Sequence, residues 1–580
     1  MVHLKRYQVE LQIGYDDFGK VRSNDLVFVD KTLFIKDILD NKSAEVSVIT
    51  RPRRFGKTFN LSTLHYFLAP EVNKQTTANL FNGLKISTAD NGSYMQYQGK
   101  FPVVCVSFKN VQDASFKGVL KKLQLMMRGL YRTHRYLINS KELEQDEKKL
   151  IKQFLVDDVD DQTLEESLQM LCEFLYKHTG KKVFLLIDEY DTPIQNGYIK
   201  GYYNEIINFM RGMLGAALKS NPYLERAVIT GILRIAKESI FSDLNNLKTY
   251  SVLHPKYSQY FGFTEEEVME LLKQFGLEEM AEDIRLWYNG YCFGDTIVYN
   301  PWSIANCIQE GGKLRPYWAN TSENTLIKNL LIKSTASFKE QFESLLQKQP
   351  LKQIIDDSMV FGDLEQDQTT AWSLLIMAGY LKAIPIADTQ QGTECDLEIP
   401  NIEIRSLYRK IIERWLGNGR EVKWYNQFLE FLLRGDVARF AECLEQVLIQ
   451  TISVHDTAKQ PEAFFHGFML GLTASLSPSE YEIKSNRESG AGRYDIAILP
   501  KDISKQAIIL ELKSIISPVS SNKNLAKELD SLLIREAQKA LEQIKQKQYI
   551  AEMQHRGFTK IIKIGLAFSG KNFSVASESV

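Results

Sequence analysis

A β-branched run, Glu45-Val-Ser-Val-Ile-Thr50, breaks into a basic loop, Arg51-Pro52-Arg53-Arg54-Phe55-Gly56-Lys57-Thr58, after which the apolar spacing turns helical as far as Leu68. Few patterns narrow a fold as sharply. Strand, loop closed by Gly-Lys-Thr, and helix, in that order, are the local context of a phosphate-binding loop in a parallel α/β sheet. In that geometry Gly56 lets backbone N–H groups approach an anion, Lys57 reaches the β- and γ-phosphates, and the Thr58 hydroxyl serves Mg²⁺ at a helix N-terminus. The loop departs from the glycine-rich form, because Arg51 and Pro52 stand where a flexible glycine and an N–H donor are expected. Arg51, Arg53 and Arg54 supply positive charge there, with Phe55 leading into Gly56. Binding is expected, and slow turnover with it.

A second apolar run, Val183 to Ile187, ends in Asp188-Glu189-Tyr190-Asp191. Acids at the carboxyl end of a parallel strand face the ligand crevice, so Asp188 is expected to hold Mg²⁺ through water and Glu189 to polarise the attacking water. The plainer alternative is that Asp191-Thr192-Pro193 caps the next helix. Between the two motifs lie a strand, Pro102 to Phe108, and helices across 115–135 and 164–178. A helix over 202–218 follows, then a strand from Arg226 to Gly231, which sets Thr230 where a polar sensor of the γ-phosphate belongs, with Arg234 just beyond. The combined order is far more specific than any part.

The 580 residues suggest several domains, at roughly 100–200 residues each. With 71 Lys+Arg against 72 Asp+Glu, bulk charge does not hold nucleic acid, so any such role must live in a site. The six cysteines are scattered without zinc-ligand spacing, which favours a reducing cytoplasm. No signal peptide is read at the N-terminus, and the most apolar stretch, Trp372 to Ala387, is shorter than the about 20 residues a membrane span needs. A cytoplasmic location and no membrane partner are expected. The aromatic segment from Trp287 to Trp302 reads as the core of a small lid rather than as a base-stacking platform. Residues 326–448 read as leucine-rich amphipathic helices forming a connector.

Toward the C-terminus, 493–499 and 507–513 read as two strands joined by a polar turn, and a hairpin centred on Ile503 sets Asp495 opposite Glu511. Glu511 and Lys513 share a face through the period-two alternation. Two carboxylates and a lysine at one end of a hairpin suit a hard Mg²⁺ or Mn²⁺ ion and a deprotonated water. An exposed salt bridge is the ordinary reading, but Glu511 and Lys513 sit in a strand otherwise rich in Ile and Leu, where unpaired charge is costly.

Asp495 followed by Glu511-Leu512-Lys513 resembles the active site of the PD-(D/E)XK nuclease superfamily, and Gln543 with Tyr549 resembles the Gln/Tyr element that follows the lysine in many such nucleases. His466, Glu482 and Glu488 are open candidates for a further polar group. Together with the Arg-Pro-Arg-Arg-Phe-Gly-Lys-Thr loop, the chain resembles a bacterial family that joins an AAA-ATPase-like domain to such a nuclease-like domain. The resemblance implies an α/β P-loop NTPase domain with a helical lid, a helical connector and a restriction-endonuclease-like α/β domain, with expected limits at 1–260, 261–330, 331–455 and 456–580. It also implies ATP and Mg²⁺ as cofactors, with Mn²⁺ an option at the nuclease site, and DNA as partner, RNA remaining open. Catalysis would fall to Asp495, Glu511, Lys513, Gln543 and Glu189. Nucleotide would meet Arg51, Arg53, Arg54, Phe55, Gly56, Lys57, Thr58, Asp188, Thr230 and Arg234, and metal would meet Thr58, Asp188, Asp495 and Glu511. The competing expectation is a nucleotide-dependent switch or interaction protein whose nuclease-like domain binds a partner without cleaving.

Overall fold

The computed structural model describes residues 10–156, 159–233, 245–318, 351–356, 368–408, 423–451, 480–489, 492–515, 523–547, 549–570 and 572–579, with the single positions 338, 341, 342, 345, 465, 469, 473 and 476. They fall into two compact units, Met1–Leu330 with Pro350–Ile404, and Leu331–Gln349 with Arg405–Val580.

In the first unit, strands β1 (Val46–Thr50), β2 (Val103–Ser107), β3 (Val183–Asp188), β4 (Leu224–Gly231) and β5 (Leu247–Tyr250) form a sheet in the order β2-β3-β4-β1-β5. Every neighbouring pair is parallel. A parallel sheet needs cover on both faces, and β1 and β3 are buried at every position, which is why both read as unbroken apolar runs. Helices α1 (Lys57–Leu68), α2 (Phe116–Thr133), α3 (Asp161–Thr179) and α4 (Tyr203–Leu218) fill the connections. Ser115 and Asp160 cap α2 and α3, and Gly180 at φ 68° ends α3. Because β4 lies between β1 and β3, the loops leaving all three carboxyl ends meet in one crevice. Three further helices, α5 (Glu265–Phe275), α6 (Ala281–Tyr288) and α7 (Pro301–Gln309), pack around Leu272, Ile284, Tyr288 and Ile304.

The described residues between 351 and 404 depart from the helical connector expected there. They hold β6 (Leu351–Ile355), α8 (Gln368–Met377), β7 (Lys382–Thr389) and β8 (Gly392–Glu398), the strands forming an antiparallel sheet in the order β6-β8-β7. The apolar stretch that begins at Trp372 is two elements, not one: Gly379 at φ 84° turns the chain between α8 and β7. Short apolar runs do not separate helix from strand until partners are known.

In the second unit, β9 (Tyr481–Ser489), β10 (Gly492–Pro500), β11 (Ala507–Ser514), β12 (Ile561–Ser569) and β13 (Asn572–Ser579) lie side by side in chain order. All pairs are antiparallel except β11 and β12, which are parallel and joined by a crossover containing α11 (Lys523–Gln546). One face of the sheet buries Ile496, Ile498, Leu510 and Leu512 against Phe428 and Phe440 of α9 (Lys423–Arg434) and α10 (Val437–Thr451). The opposite face buries Ala497, Leu499 and Ile509 against Ile544 and Tyr549.

Candidate functional site

The loop after β1 opens onto a cavity of about 490 Å³ lined by Arg53 to Asn60, Glu189 and Thr192, by residues 11–16, 28 and 29, and by Pro301, Trp302 and Ala305. Gly56 sits at φ 85° with open space around its α-carbon, a conformation that a side chain would strain. Lys57 begins α1 and is buried, its ammonium donating to the carbonyl oxygens of Arg51 at 2.9 Å and Pro52 at 2.8 Å. Burial depresses the Lys57 pKa, opposed by the charges of Glu189 and Asp188. Two of the ammonium's three N–H groups thus brace the loop.

Thr58 donates to Asp188 Oδ2 at 2.7 Å, and Thr230 donates to Asp188 Oδ1 at 2.5 Å. The hydroxyl of the loop, the acid of β3 and the polar end of β4 are therefore one constellation, with oxygen donors of the kind Mg²⁺ takes. Glu189 stands beside it at φ 52°, a conformation rarely adopted by a residue with a side chain. Burial raises its pKa, and the Lys57 charge opposes the rise. Arg53 and Arg54 are exposed on the cavity wall. The Phe55 ring turns inward, edge-on to Tyr291 and Phe293.

Arg51 is not brought to the cavity. Its guanidinium is fully buried and donates to the carbonyl oxygens of Thr50, Tyr250 and Ser251 at 2.8–2.9 Å, between the rings of Phe261 and Phe293. This corrects the expectation of a phosphate contact: the position lacks glycine because the side chain ties β1 to the chain after β5. Arg234 lies outside the described residues. Asp191 takes the N-cap position of the helix Thr192–Lys200, with Pro193 in its first turn, but its side chain makes no capping bond; Oδ2 accepts instead from the N–H groups of Ile232 and Leu233 at 2.8 and 3.0 Å. Tyr190 donates to the Leu233 carbonyl at 2.7 Å, so the Asp-Glu-Tyr-Asp segment clasps the loop after β4. That role was missed in the sequence, although two further polar residues after the acidic pair were its signal. A second missed support is Trp318, whose indole N–H donates to the Arg53 carbonyl at 3.0 Å while its backbone N–H reaches the buried Glu403.

In the second unit the pairs Ile496↔Leu510, Ala497↔Ile509 and Ile498↔Ile508 share the centre at Ile503, the register read from the sequence. One step further, Asp495 and Glu511 stand on neighbouring strands, and Asp495 Oδ2 accepts from the Leu512 N–H at 2.7 Å, which orients the carboxylate. Glu511 is 2% exposed. Its Oε1 accepts from Gln543 and lies 3.7 Å from the Lys513 ammonium, whereas Oε2 is buried with no hydrogen-bond partner. A buried acceptor left unsatisfied costs about 1–3 kcal/mol, and a hard cation is a natural partner for it. Burial first, then the Asp495 charge, lifts the Glu511 pKa to about 8. The residues present fit a divalent ion held by Asp495 and Glu511.

Gln543 also donates to the Tyr549 hydroxyl at 3.3 Å. α11 ends at Gln546, and across the long Gln-to-Tyr spacing the two side chains still meet. Glu482 is not part of this group; it pairs with Arg556 at 2.8 Å and Lys484 at 3.6 Å, opposite Leu499. His466 and the Glu488 side chain lie outside the described residues. Among the described residues, no helix is long and apolar enough to cross a membrane.

Most of the parallel sheet of the first unit and most of the mixed sheet of the second lie in stretches of chain that match known families. Residues 12–241 match the family described as a predicted AAA-ATPase, and residues 460–578 match the PD-(D/E)XK nuclease superfamily. The chain joins an AAA-ATPase-like domain to a PD-(D/E)XK nuclease superfamily domain. It is similar along nearly its whole length to the "Uncharacterized protein in vnfD 5'region" of Azotobacter chroococcum mcd 1, with 25% identity over 579 residues and 98% of each chain covered.

Proposed function

We propose that the protein binds ATP with Mg²⁺ and cleaves phosphodiester bonds of nucleic acid, DNA by preference, under the control of the bound nucleotide. The observation that carries the nuclease reading is the buried Oε2 of Glu511, unpartnered beside Asp495. An oxygen set of this kind is costly in a fold that does not use it.

At the first site, Lys57 and Arg53 meet phosphate charge, Gly56 allows the backbone to approach, and Thr58 and Asp188 would hold Mg²⁺. Thr230 fixes the orientation of Asp188 through its hydrogen bond. Glu189 would accept a proton from an attacking water, a role its raised pKa supports. At the second site a divalent ion, when bound, supplies Lewis-acid polarisation of the phosphate and lowers the pKa of water. Asp495 and Glu511 would hold that ion. Gln543 keeps Glu511 in one orientation through Oε1. Lys513, about a quarter exposed, faces the same space and stabilises negative charge on the phosphate as the bond breaks.

The test is incubation of plasmid and single-stranded DNA with Mg²⁺ or Mn²⁺, with and without ATP, comparing the wild type with Lys513→Ala and Lys57→Ala. Loss of cleavage in Lys513→Ala and loss of ATP dependence in Lys57→Ala are expected. Cleavage that survives Lys513→Ala sinks the nuclease site, and cleavage indifferent to ATP and to Lys57→Ala sinks the control.

A further inference from the structure

Arg54 and Trp302 meet at the cavity wall. Arg54 takes φ 69°, a left-handed conformation unusual for a residue with a side chain, and its guanidinium carbon stands 4.1 Å from the centre of the Trp302 ring. Trp302 is the second residue of α7 and is only partly buried. A third element closes on the same indole: Gly14, at φ 72°, is placed so that a β-carbon there would lie 3.6 Å from Trp302 Cζ3. One ring therefore touches the N-terminal segment, the phosphate-binding loop and the helical subdomain, and all three line the cavity.

We propose that the Arg54–Trp302 stack is a latch that selects nucleoside triphosphate over diphosphate, the triphosphate drawing Arg54 off the indole face. The proposal rests on the nucleotide-binding reading given above. A guanidinium over an indole is held by the ring quadrupole, whereas a guanidinium against a terminal phosphate gains charge-assisted, bidentate hydrogen bonds. The exchange is favourable only if a phosphate reaches the loop's outer end. A diphosphate, bound deeper against Gly56 and Lys57, offers none. Release of the indole then frees α7 from the loop, so the state of the nucleotide is read by the subdomain of α5, α6 and α7.

The full chain is titrated by calorimetry with Mg²⁺ and either ADP or the β,γ-imido analogue of ATP, and indole emission is followed in parallel. The difference between wild type and Trp302→Phe isolates this ring from the other tryptophans. Expected is an emission change with the imido analogue, absent with ADP and absent in Arg54→Gln. Trp302→Leu, which stays apolar and loses the ring face, should bind the analogue about fivefold more tightly with ADP unchanged, and Arg54→Gln should lower the preference for the analogue about tenfold. Equal emission changes with ADP and the analogue overturn the latch, as does weaker binding of both ligands to Trp302→Leu, which would make the indole a stacking platform for the base. If neither ligand binds the wild type, the nucleotide reading itself fails; if both bind and Arg54→Gln keeps its preference, only the latch fails. Thermal melts of both variants matching the wild type exclude collapse of the subdomain.

Discussion

Thr230 donates its hydroxyl to Oδ1 of Asp188, tying the carboxyl ends of two adjacent parallel strands. Asp188 is 3% exposed, and its other oxygen is met by Thr58, so each carboxylate oxygen has a hydroxyl on it. Removing one hydroxyl leaves a buried acceptor without a partner and lets the carboxylate turn. Thr230→Val, which keeps the shape, is expected to weaken Mg²⁺-dependent ATP binding about tenfold while the metal-free affinity changes little. Titration with and without EDTA measures both, and an equal loss in the two conditions would show that Thr230 acts on the nucleotide rather than on the acid.

Glu511 gives a pH dependence of definite sign. Its pKa rises from 4.5 to about 8 on folding, so the folded state binds the proton more tightly than the unfolded chain over that interval. The resulting penalty is absent below pH 4.5, grows as pH rises through the window and is complete above about 8. In EDTA, Glu511→Gln should therefore be more stable than wild type at pH 9, by on the order of 1–3 kcal/mol after allowance for solvent, and lose that advantage at pH 5. Denaturant melts at the two pH values check it. A difference between the two proteins that does not change with pH would refute the raised pKa.

Gln543 donates to Glu511 Oε1 and to the Tyr549 hydroxyl. On the proposed reading it is a positioning residue. Gln543→Ala should lower kcat for DNA cleavage by about 10–100-fold, with KM for DNA nearly unchanged, because orientation of a ligand is lost rather than substrate contact. Gln543→Glu is expected to fail as a rescue, since it sets a third carboxyl against Glu511. A KM effect as large as the kcat effect would place Gln543 on the substrate.

The elements that carry one-dimensional signals were legible in the sequence. β1 and β3 are buried on both faces, so their apolar runs are unbroken, and the hairpin register at Asp495 and Glu511 follows from a symmetric turn about Ile503. What escaped has partners far away in the chain. Arg51 looks like a phosphate ligand because it stands beside Arg53 and Arg54, yet its carbonyl partners lie some 200 residues on, at Tyr250 and Ser251. Trp302 looks like any core aromatic until Arg54 and Gly14 are brought against it. The strands of residues 350–404 were hidden for the same reason: β7 exposes most of its length, and only pairing with β8 makes it a strand.

Gly231 closes β4 where Tyr190 and Asp191 clasp the loop beyond it. A β-carbon there would lie 2.7 Å from the Tyr190 ring and 2.8 Å from Asp191 Oδ1, closer than real contacts allow. Gly231→Ala should push both side chains off the Ile232 and Leu233 backbone and lower stability by about 1–3 kcal/mol. Since β4 also presents Thr230, ATP affinity should fall with it. A melt unchanged from wild type would mean that the clasp yields without cost.

Arg51 stands apart from the other two arginines of its loop. Its guanidinium is buried on backbone carbonyls and aromatic faces, whereas Arg53 and Arg54 stand on the cavity wall. Arg51→Lys keeps the charge but ends short of Nη1, the atom that makes all three of these hydrogen bonds, and loses the flat guanidinium face toward Phe261 and Phe293, so the carbonyls of Thr50, Tyr250 and Ser251 lose their donor in a dry site. A loss of about 2–4 kcal/mol in stability is expected, with ATP affinity of the remaining folded protein within about threefold of wild type. Arg53→Ala should show the reverse: melting nearly unchanged, since the exposed guanidinium gives up only a long hydrogen bond to Gln195, and ATP affinity reduced about tenfold. Denaturant melts paired with nucleotide titration on the same preparations decide it, and an Arg51→Lys protein that melts like wild type but no longer binds ATP would return Arg51 to the phosphates.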